Sequence, residues 1–321
     1  MINLAAMGVS TLRISMPYAA GALGGTMSER GGVVNIALEG LMLGGAFAFV
    51  TTSWALQNHY VAAGLAVPSW LPWVAPIAGL LAAVATGVLL SIIHAIATVT
   101  FKADNIISGF AINIFSLGVT NFLLKKIFGS SSNSEKCLTF TNWNPFPAES
   151  PLHIINEVLH PLILIIIVLF ALMHWLLYYT RFGLRLRAVG ENPQAADSLG
   201  VNVSRYRISA VLLGGAVASL GGVWLASDQG LFTSNMTAGR GYIALAAMII
   251  GKWRPWGAAA ACLIFGLAEA VQNTLQVSHI AVPTQLIQAF PYLLTLVVIA
   301  GLIGRSQPPA ADGIPYEKER E

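Results

Sequence analysis

Gly40-Leu-Met-Leu-Gly-Gly-Ala-Phe-Ala-Phe-Val50 opens a run of 62 residues, ending at Phe101, that contains no Asp, Glu, Lys or Arg. A soluble domain, in which about a quarter of residues are charged, does not tolerate such a gap. Of the 321 residues here only 10% are charged and 56% are hydrophobic, and the mean hydropathy is +0.71. Further charge-free runs cover Ile14 to Ser28, Asn105 to Leu124, Val158 to Thr180, Ile208 to Ser227 and Ala270 to Gly304. Apart from the first, which is marginal, each matches or exceeds the ~18 apolar residues that cross a ~30 Å hydrocarbon core. A water-soluble fold is excluded, and the membrane signal covers the whole chain.

Apolar runs bounded by charges and turn residues predict about nine membrane segments: Met7 to Met27, Leu38 to Leu56, Val74 to Thr98, Ile106 to Phe128, Pro161 to Tyr179, Ile208 to Ser227, Tyr242 to Gly251, Trp256 to Gln276 and Thr284 to Ile303. Backbone amides in lipid must be paired within an element or inside the protein, so the expected class is all-α and polytopic. The seventh segment is short, which predicts a half-span or re-entrant helix. Many of the 31 glycines fall inside the apolar runs, where they let helix backbones approach closely.

Basic residues set the orientation. The loop from Arg181 to Arg207 holds five arginines against Glu191 and Asp197, which places it in the cytoplasm. Counting spans outward from it puts residues 28–35, Lys102, Lys252 to Arg254 and the tail from Arg305 on the same side. Residues 129–160 and 228–241 fall on the opposite side, and Arg13 makes the N-terminal end the weakest part of the count. The N-terminus lacks the features of a cleaved leader and is read as part of the mature protein. Leu23-Gly-Gly matches Leu220-Gly-Gly, and Ile36-Ala-Leu with Gly44 matches Ile243-Ala-Leu with Gly251. Their opposite directions of entry predict an inverted repeat, residues 7–128 against 208–304, within one membrane domain spanning 1–304, and such repeats are a transporter architecture. A coupling loop at 180–207 and a tail at 305–321 complete the organisation.

The cytoplasmic loop contains a legible turn. In Glu191-Asn192-Pro193, Asn192 can cap a helix, Pro193 suits its first position, and Gly200 suits its stop. A short capped helix projecting from a bilayer fits a cleft in another protein, but taken alone the loop reads rather as an ordinary amphipathic connector whose arginines anchor its orientation. Gln194-Ala-Ala-Asp-Ser-Leu-Gly200 resembles the EAA-x-x-x-G loop of ABC importer permeases, with Gln at a position where that family often has Glu. Arg187-Ala-Val-Gly-Glu-Asn-Pro resembles the form found in permeases for branched-chain amino acids, simple sugars and nucleosides. Glu29-Arg-Gly-Gly-Val-Val-Asn-Ile-Ala-Leu-Glu-Gly-Leu-Met-Leu-Gly-Gly-Ala and Gly239-Arg-Gly-Tyr-Ile-Ala-Leu-Ala-Ala-Met-Ile-Ile-Gly-Lys-Trp-Arg-Pro resemble the nucleoside-type subgroup. The resemblance runs over most of the chain.

It implies a permease subunit of an ATP-driven importer of nucleosides or a related ribose-like sugar, in a bacterial-type inner membrane. Its implied partners are an ABC ATPase subunit, a second homologous permease and an extracytoplasmic solute-binding protein. By the same resemblance the ATPase docks on Arg187, Gly190, Glu191, Asn192, Ala195, Ala196 and Gly200. No G-x-x-x-x-G-K-[ST] phosphate loop occurs, so ATP hydrolysis falls to another chain, and neither cofactor nor catalytic residue is expected in this one.

Along the membrane path, Asn35 and Glu39 are four apart and are expected on one helix face. A carboxylate at membrane depth is a functional candidate. Alternatively Glu39 sits in a first helical turn, favoured by the dipole and paired with Arg30. Glu269, Gln272 and Asn273 share a face of the eighth segment, and Asn113 and Asn121 add amides to the fourth. These amides can meet an uncharged nucleoside without a buried-charge penalty, or they can hold helices together.

His94, His160 and His174 lack a partner at metal-ligand spacing, and Cys137 and Cys262 suggest neither a disulfide nor a metal site. The net charge of +3, without a basic stripe, excludes a nucleic-acid binder. Six tryptophans lie near predicted span ends, as interfacial rings do. The polar loop Ser130 to Pro151 reads as a dock for the solute-binding protein or as a plain connector. An ion-coupled secondary transporter using Glu39 or Glu269 is the alternative function. An intramembrane enzyme finds no motif to support it.

Overall fold

The computed structural model describes residues 4–147, 150, 155–277, 289, 293 and 306–317. These are helical almost throughout: α1 (Leu4–Glu29), α2 (Leu38–Ala62), α3 (Leu71–Ala95), α4 (Asn105–Phe128), α5 (Pro161–Tyr179), α6 (Arg181–Glu191), α7 (Pro193–Ser198), α8 (Val203–Gln229), α9 (Arg240–Ile250) and α10 (Pro255–Val277). Extended pairing among the described residues is limited to an isolated bridge between Asn133 and Thr233. Helix ends follow local chemistry. Asp104 accepts the N–H groups of Ile106 and Ile107 at 2.9 Å and starts α4, while Gly129 and Gly230 end α4 and α8 with φ of 67° and 72°.

Among the described helices, five are long and apolar enough to cross a membrane: α3 with its π turn to Thr100, α4, α5, α8 and α10. The expected count of nine is therefore not established. Helices α1 and α2 have the length, at 26 and 25 residues, but are diluted by Gly and polar residues. Helix α9 has only 11 residues, as its short apolar run implies. The expected segment Thr284 to Ile303 lies outside the described residues.

The interior is built on α1, α2 and α8. Small residues let them touch: a Cβ on Gly24 would collide with the Gly214 carbonyl, and one on Gly214 with that of Gly24. Around this centre, α3, α4 and α5 turn large apolar side chains outward, among them Leu81, Ile114 and Val168. Lipid is the natural cover for such faces.

The loops gather at two ends. At one, Arg13 pairs with Asp228 at 2.5 Å and donates to the Glu157 carbonyl at 3.3 Å, and Trp54 donates to Glu135 at 2.7 Å. At the other, Arg30 donates to the Trp253 carbonyl at 2.8 Å, Lys102 pairs with Glu317 at 2.6 Å, and the elbow of α6 and α7 lies alongside. Lys102, Lys252, Arg254 and the five arginines between Arg181 and Arg207 belong to this second end, which is the end the positive-inside rule expects in the cytoplasm.

Candidate translocation site and coupling face

Helix α9 begins at Arg240 and ends beside Lys252 at the cytoplasmic end, so its 11 residues carry its N-terminus about 16 Å inward, near the middle of a ~30 Å core. That N-terminus exposes unpaired N–H groups. Glu39, in the first turn of α2, supplies their acceptor: Oε1 takes the N–H of Gly239 at 2.8 Å and Oε2 that of Gly241 at 2.6 Å. Gly239 has φ of 86°, and a Cβ on Gly241 would strike the Glu39 backbone at 2.5 Å. Both glycines of Gly239-Arg-Gly are thus required by this approach. The carboxylate gains from the dipoles of two helix N-termini, α2 and α9.

Asn113 completes the crossing. Its Oδ1 accepts the Gly40 N–H at 2.7 Å, and its Nδ2 donates to the Ile36 carbonyl at 3.0 Å and the Tyr242 hydroxyl at 3.1 Å. Asn113 lies eight residues into α4, so α2 begins about 12 Å along that helix. The chain after α1 therefore dips back into the membrane before α2 starts. Glu39 is not paired with Arg30, whose guanidinium reaches Glu191 at 3.9 Å and the carbonyls of Lys252 and Trp253.

Arg240, between the two glycines, points the other way. Its Nη2 lies 3.3 Å from Glu269 Oε1, and the Tyr18 hydroxyl donates to Glu269 Oε2. This second cluster borders a cavity of about 530 Å³ between α1, α8, α9 and α10, which Arg13, Trp224, Asp228, Arg240, Glu269 and Asn273 help to line. A volume of that order holds a small polar solute.

The structure brings Glu39 and Asn113 together at one side of the α9 start, and Glu269 and Asn273 at the other. Gln272 is half-buried and outside the cavity lining. Asn121 accepts from Ser234 at 2.7 Å, nearer the outer end. Asn35 is corrected: it precedes α2 and does not share a helix face with Glu39, because the helix starts only at Leu38. Its Oδ1 takes the Ala37 N–H at 3.2 Å and its own N–H donates to Glu29 at 3.3 Å. Sequence reading passed over Arg240, Tyr18 and Trp224. A lone arginine opening a short apolar segment, with an acid in the next one, was the available signal for Arg240.

On the coupling face, Asn192 caps α7 by accepting the Ala195 N–H at 3.0 Å, Pro193 occupies the first turn, and Gly200 ends the turn with φ of 80°. Helix α6 precedes it, anchored by Thr180, which accepts the Gly183 N–H at 3.1 Å. Glu191, Asn192, Ala195 and Gly200 are exposed. Ala196 and Gly190 face inward instead: Ala196 packs with Val189 and Val203, and Gly190 abuts the Arg30 carbonyl. Arg187 stacks over Tyr178, 4.8 Å from the ring centroid. Leu199, 84% exposed, is the apolar knob of the elbow.

A family model for the branched-chain amino acid transport system / permease component matches residues 7–299. The chain is 39% identical over 316 residues to the guanosine ABC transporter permease protein NupQ of Bacillus subtilis (strain 168), covering 96% of this chain and 95% of the relative. It is 38% identical over 316 residues to the nucleoside ABC transporter permease protein NupC of Lactococcus lactis subsp. cremoris (strain MG1363), covering 95% of each.

Proposed function

The chain belongs to the family of branched-chain amino acid transport system permease components, a multi-pass membrane subunit of an ABC transporter and not itself an enzyme, and from that premise we propose that it forms the translocation pathway for a nucleoside or related ribose-like solute. The reading rests most on the start of α9. A half-helix whose N-terminus is buried mid-membrane, capped by one carboxylate and flanked by an ion pair at a cavity, matches the discontinuous helices around which transporters organise a pathway. Its pairing with the start of α2 accords with an inverted repeat of 7–128 and 208–304.

Both relatives carry nucleoside transport in their names. The cavity suits that chemistry: Asn273 offers an amide, Glu269 and Arg240 neutralise each other, and Trp224 supplies an aromatic wall. An uncharged solute then enters without stranding a charge. Asn113 is used by a hydrogen bond to α2 and Asn121 by one to Ser234 in the loop between α8 and α9, which supports a framework role for both.

Drive comes from a separate ATPase gripping the elbow through Glu191, Asn192, Ala195, Leu199 and Gly200, with Gly190 and Ala196 seating the elbow on the permease body. A second permease and an external solute-binding protein complete the assembly, in a bacterial inner membrane. An ion-coupled carrier would need a carboxylate free to take up its ion. Glu39 and Glu269 are instead engaged by backbone N–H groups and by Arg240. The test is uptake of labelled nucleoside into proteoliposomes holding the purified complex. Import that requires ATP and the ATPase supports the proposal; import that needs neither, and collapses with an ionophore, refutes it.

A further inference from the structure

Residues 306–317 lie across the cytoplasmic face and bind several of the elements that meet there. Ser306 Oγ donates to the Ile249 carbonyl at the foot of α9 at 2.9 Å. The Ala310 N–H donates to Glu191 Oε2 at 3.2 Å, the Ala311 N–H to the Gly190 carbonyl at 2.9 Å, and Tyr316 packs on Val189, Ala196 and Val203 of the elbow. The Gly313 N–H reaches the Gly32 carbonyl at 3.3 Å in the α1–α2 turn. Arg207, only 3% exposed, donates to the carbonyls of Ile314 at 2.8 Å and Ala311 at 3.4 Å. Asp312 is driven in beside Glu29, whose carboxyl also accepts from Trp253 Nε1 at 2.6 Å and from Asn35.

A loosely adhering tail does not order its backbone against four neighbours, because the lost conformational entropy needs compensating contacts. Apart from the tail, the elbow holds the α1–α2 turn mainly by packing, with Gly190 against the Arg30 and Gly32 backbone and Leu186 against Gly31, and by one 3.9 Å pair between Arg30 and Glu191; the tail adds the hydrogen bonds that tie the two together. We propose that residues 306–317 are a clasp joining the coupling elbow to the α1–α2 turn and the foot of α9, so that movement imposed on the elbow reaches the half-helix capped by Glu39. This inference rests on the transport function proposed above.

The clasp has a signature that simple packing lacks. Burial first, and then the neighbouring Glu29, raise the Asp312 carboxyl well above the ordinary range, with Arg207 opposing; burial likewise raises Glu29. The charged groups around the pair are Arg207 from α8 and, at its edge, Arg30 and Glu191; Trp253 and Asn35 are neutral donors. The docked tail therefore holds a proton that a released tail gives up at neutral pH. Docking is secure at lower pH and weakens as pH rises through the docked value.

The experiment measures ATP hydrolysed per nucleoside imported by the reconstituted transporter. The double variant Ala311→Pro/Tyr316→Ala removes one hydrogen bond and the packing on the elbow, and should raise the ratio about fivefold. A wild-type ratio in the double variant overturns the clasp. If the double variant fails to assemble, Asp312→Asn decides. Between about pH 7 and about pH 9 the wild-type ratio should climb and that of Asp312→Asn stay flat; identical profiles overturn the clasp. A wild-type complex without ATP-dependent import would instead defeat the transport proposal itself.

Discussion

Helices α5 and α8 both cross the membrane by length and composition, yet they do opposite work. Helix α5 is the more apolar, and 33% of its most apolar stretch is buried inside the protein; for α8 the share is 72%. In water the greasier helix would be the core. In lipid, tails satisfy Leu and Ile as well as protein does, so large apolar residues face outward and close packing falls to small ones. The interior of α8 is lined by Gly214, Gly215, Ala218, Gly221 and Gly222, whereas α5 shows Ile167, Val168 and Leu172 to its surroundings.

That contrast makes unequal predictions. Gly24→Leu, at the backbone contact of α1 with α8, should abolish a monodisperse peak in detergent, because overpacking here costs about 3 kcal/mol or more against backbone that has nowhere to move. Leu172→Ala on α5 should leave assembly unchanged. A tolerant Gly24 or an intolerant Leu172 would reverse the assignment of inside and outside.

A smaller loss is expected at the start of α9. Glu39→Gln retains an acceptor for one N–H and forfeits the charge, so about 1–2 kcal/mol of thermal stability should go, visible as a lowered unfolding temperature. Asn113→Ala breaks three hydrogen bonds and should cost a comparable amount. Uptake by Glu39→Gln should fall further than its stability alone explains, if the capped half-helix moves during transport.

The least effect belongs to Lys102 and Glu317 at the cytoplasmic rim. The hydrogen bond and charge of Lys102 hold the Glu317 carboxyl below its ordinary range. Its contribution is thus present at neutral pH and disappears as pH falls through the lowered value. The protection factors for hydrogen exchange near residue 317 should fall modestly in acid or high salt, with the elbow unaffected.

How far the sequence could be read follows the range of the forces involved. Pro161–Tyr179 is found with the bounds expected, because a capping His160, a leading Pro and an unbroken apolar run are all local. The capped turn at Asn192 and the stop at Gly200 are local in the same way. Asn35 was misplaced because nothing nearby in sequence says that the chain re-enters the membrane before turning helical; the Ile36 carbonyl is held by Asn113, 77 residues away. The pairing of Glu39 with Gly239 and Gly241, and of Arg240 with Glu269, is set by tertiary packing. Composition marked the carboxylates as unusual but not what they would meet. Helix α6 went unforeseen although Phe182, Leu186 and Val189 recur at helical spacing, since the arginines between them read as orientation signals.

The decisive measurement is import of labelled nucleoside by the reconstituted assembly while Leu199, at the tip of the elbow, is changed to Asp. With the motor gripping that elbow, ATP-dependent import should be lost, the ATPase should no longer co-purify, and the permease should remain folded in detergent. Import at the wild-type rate with the ATPase still bound would show that the motor holds the protein elsewhere.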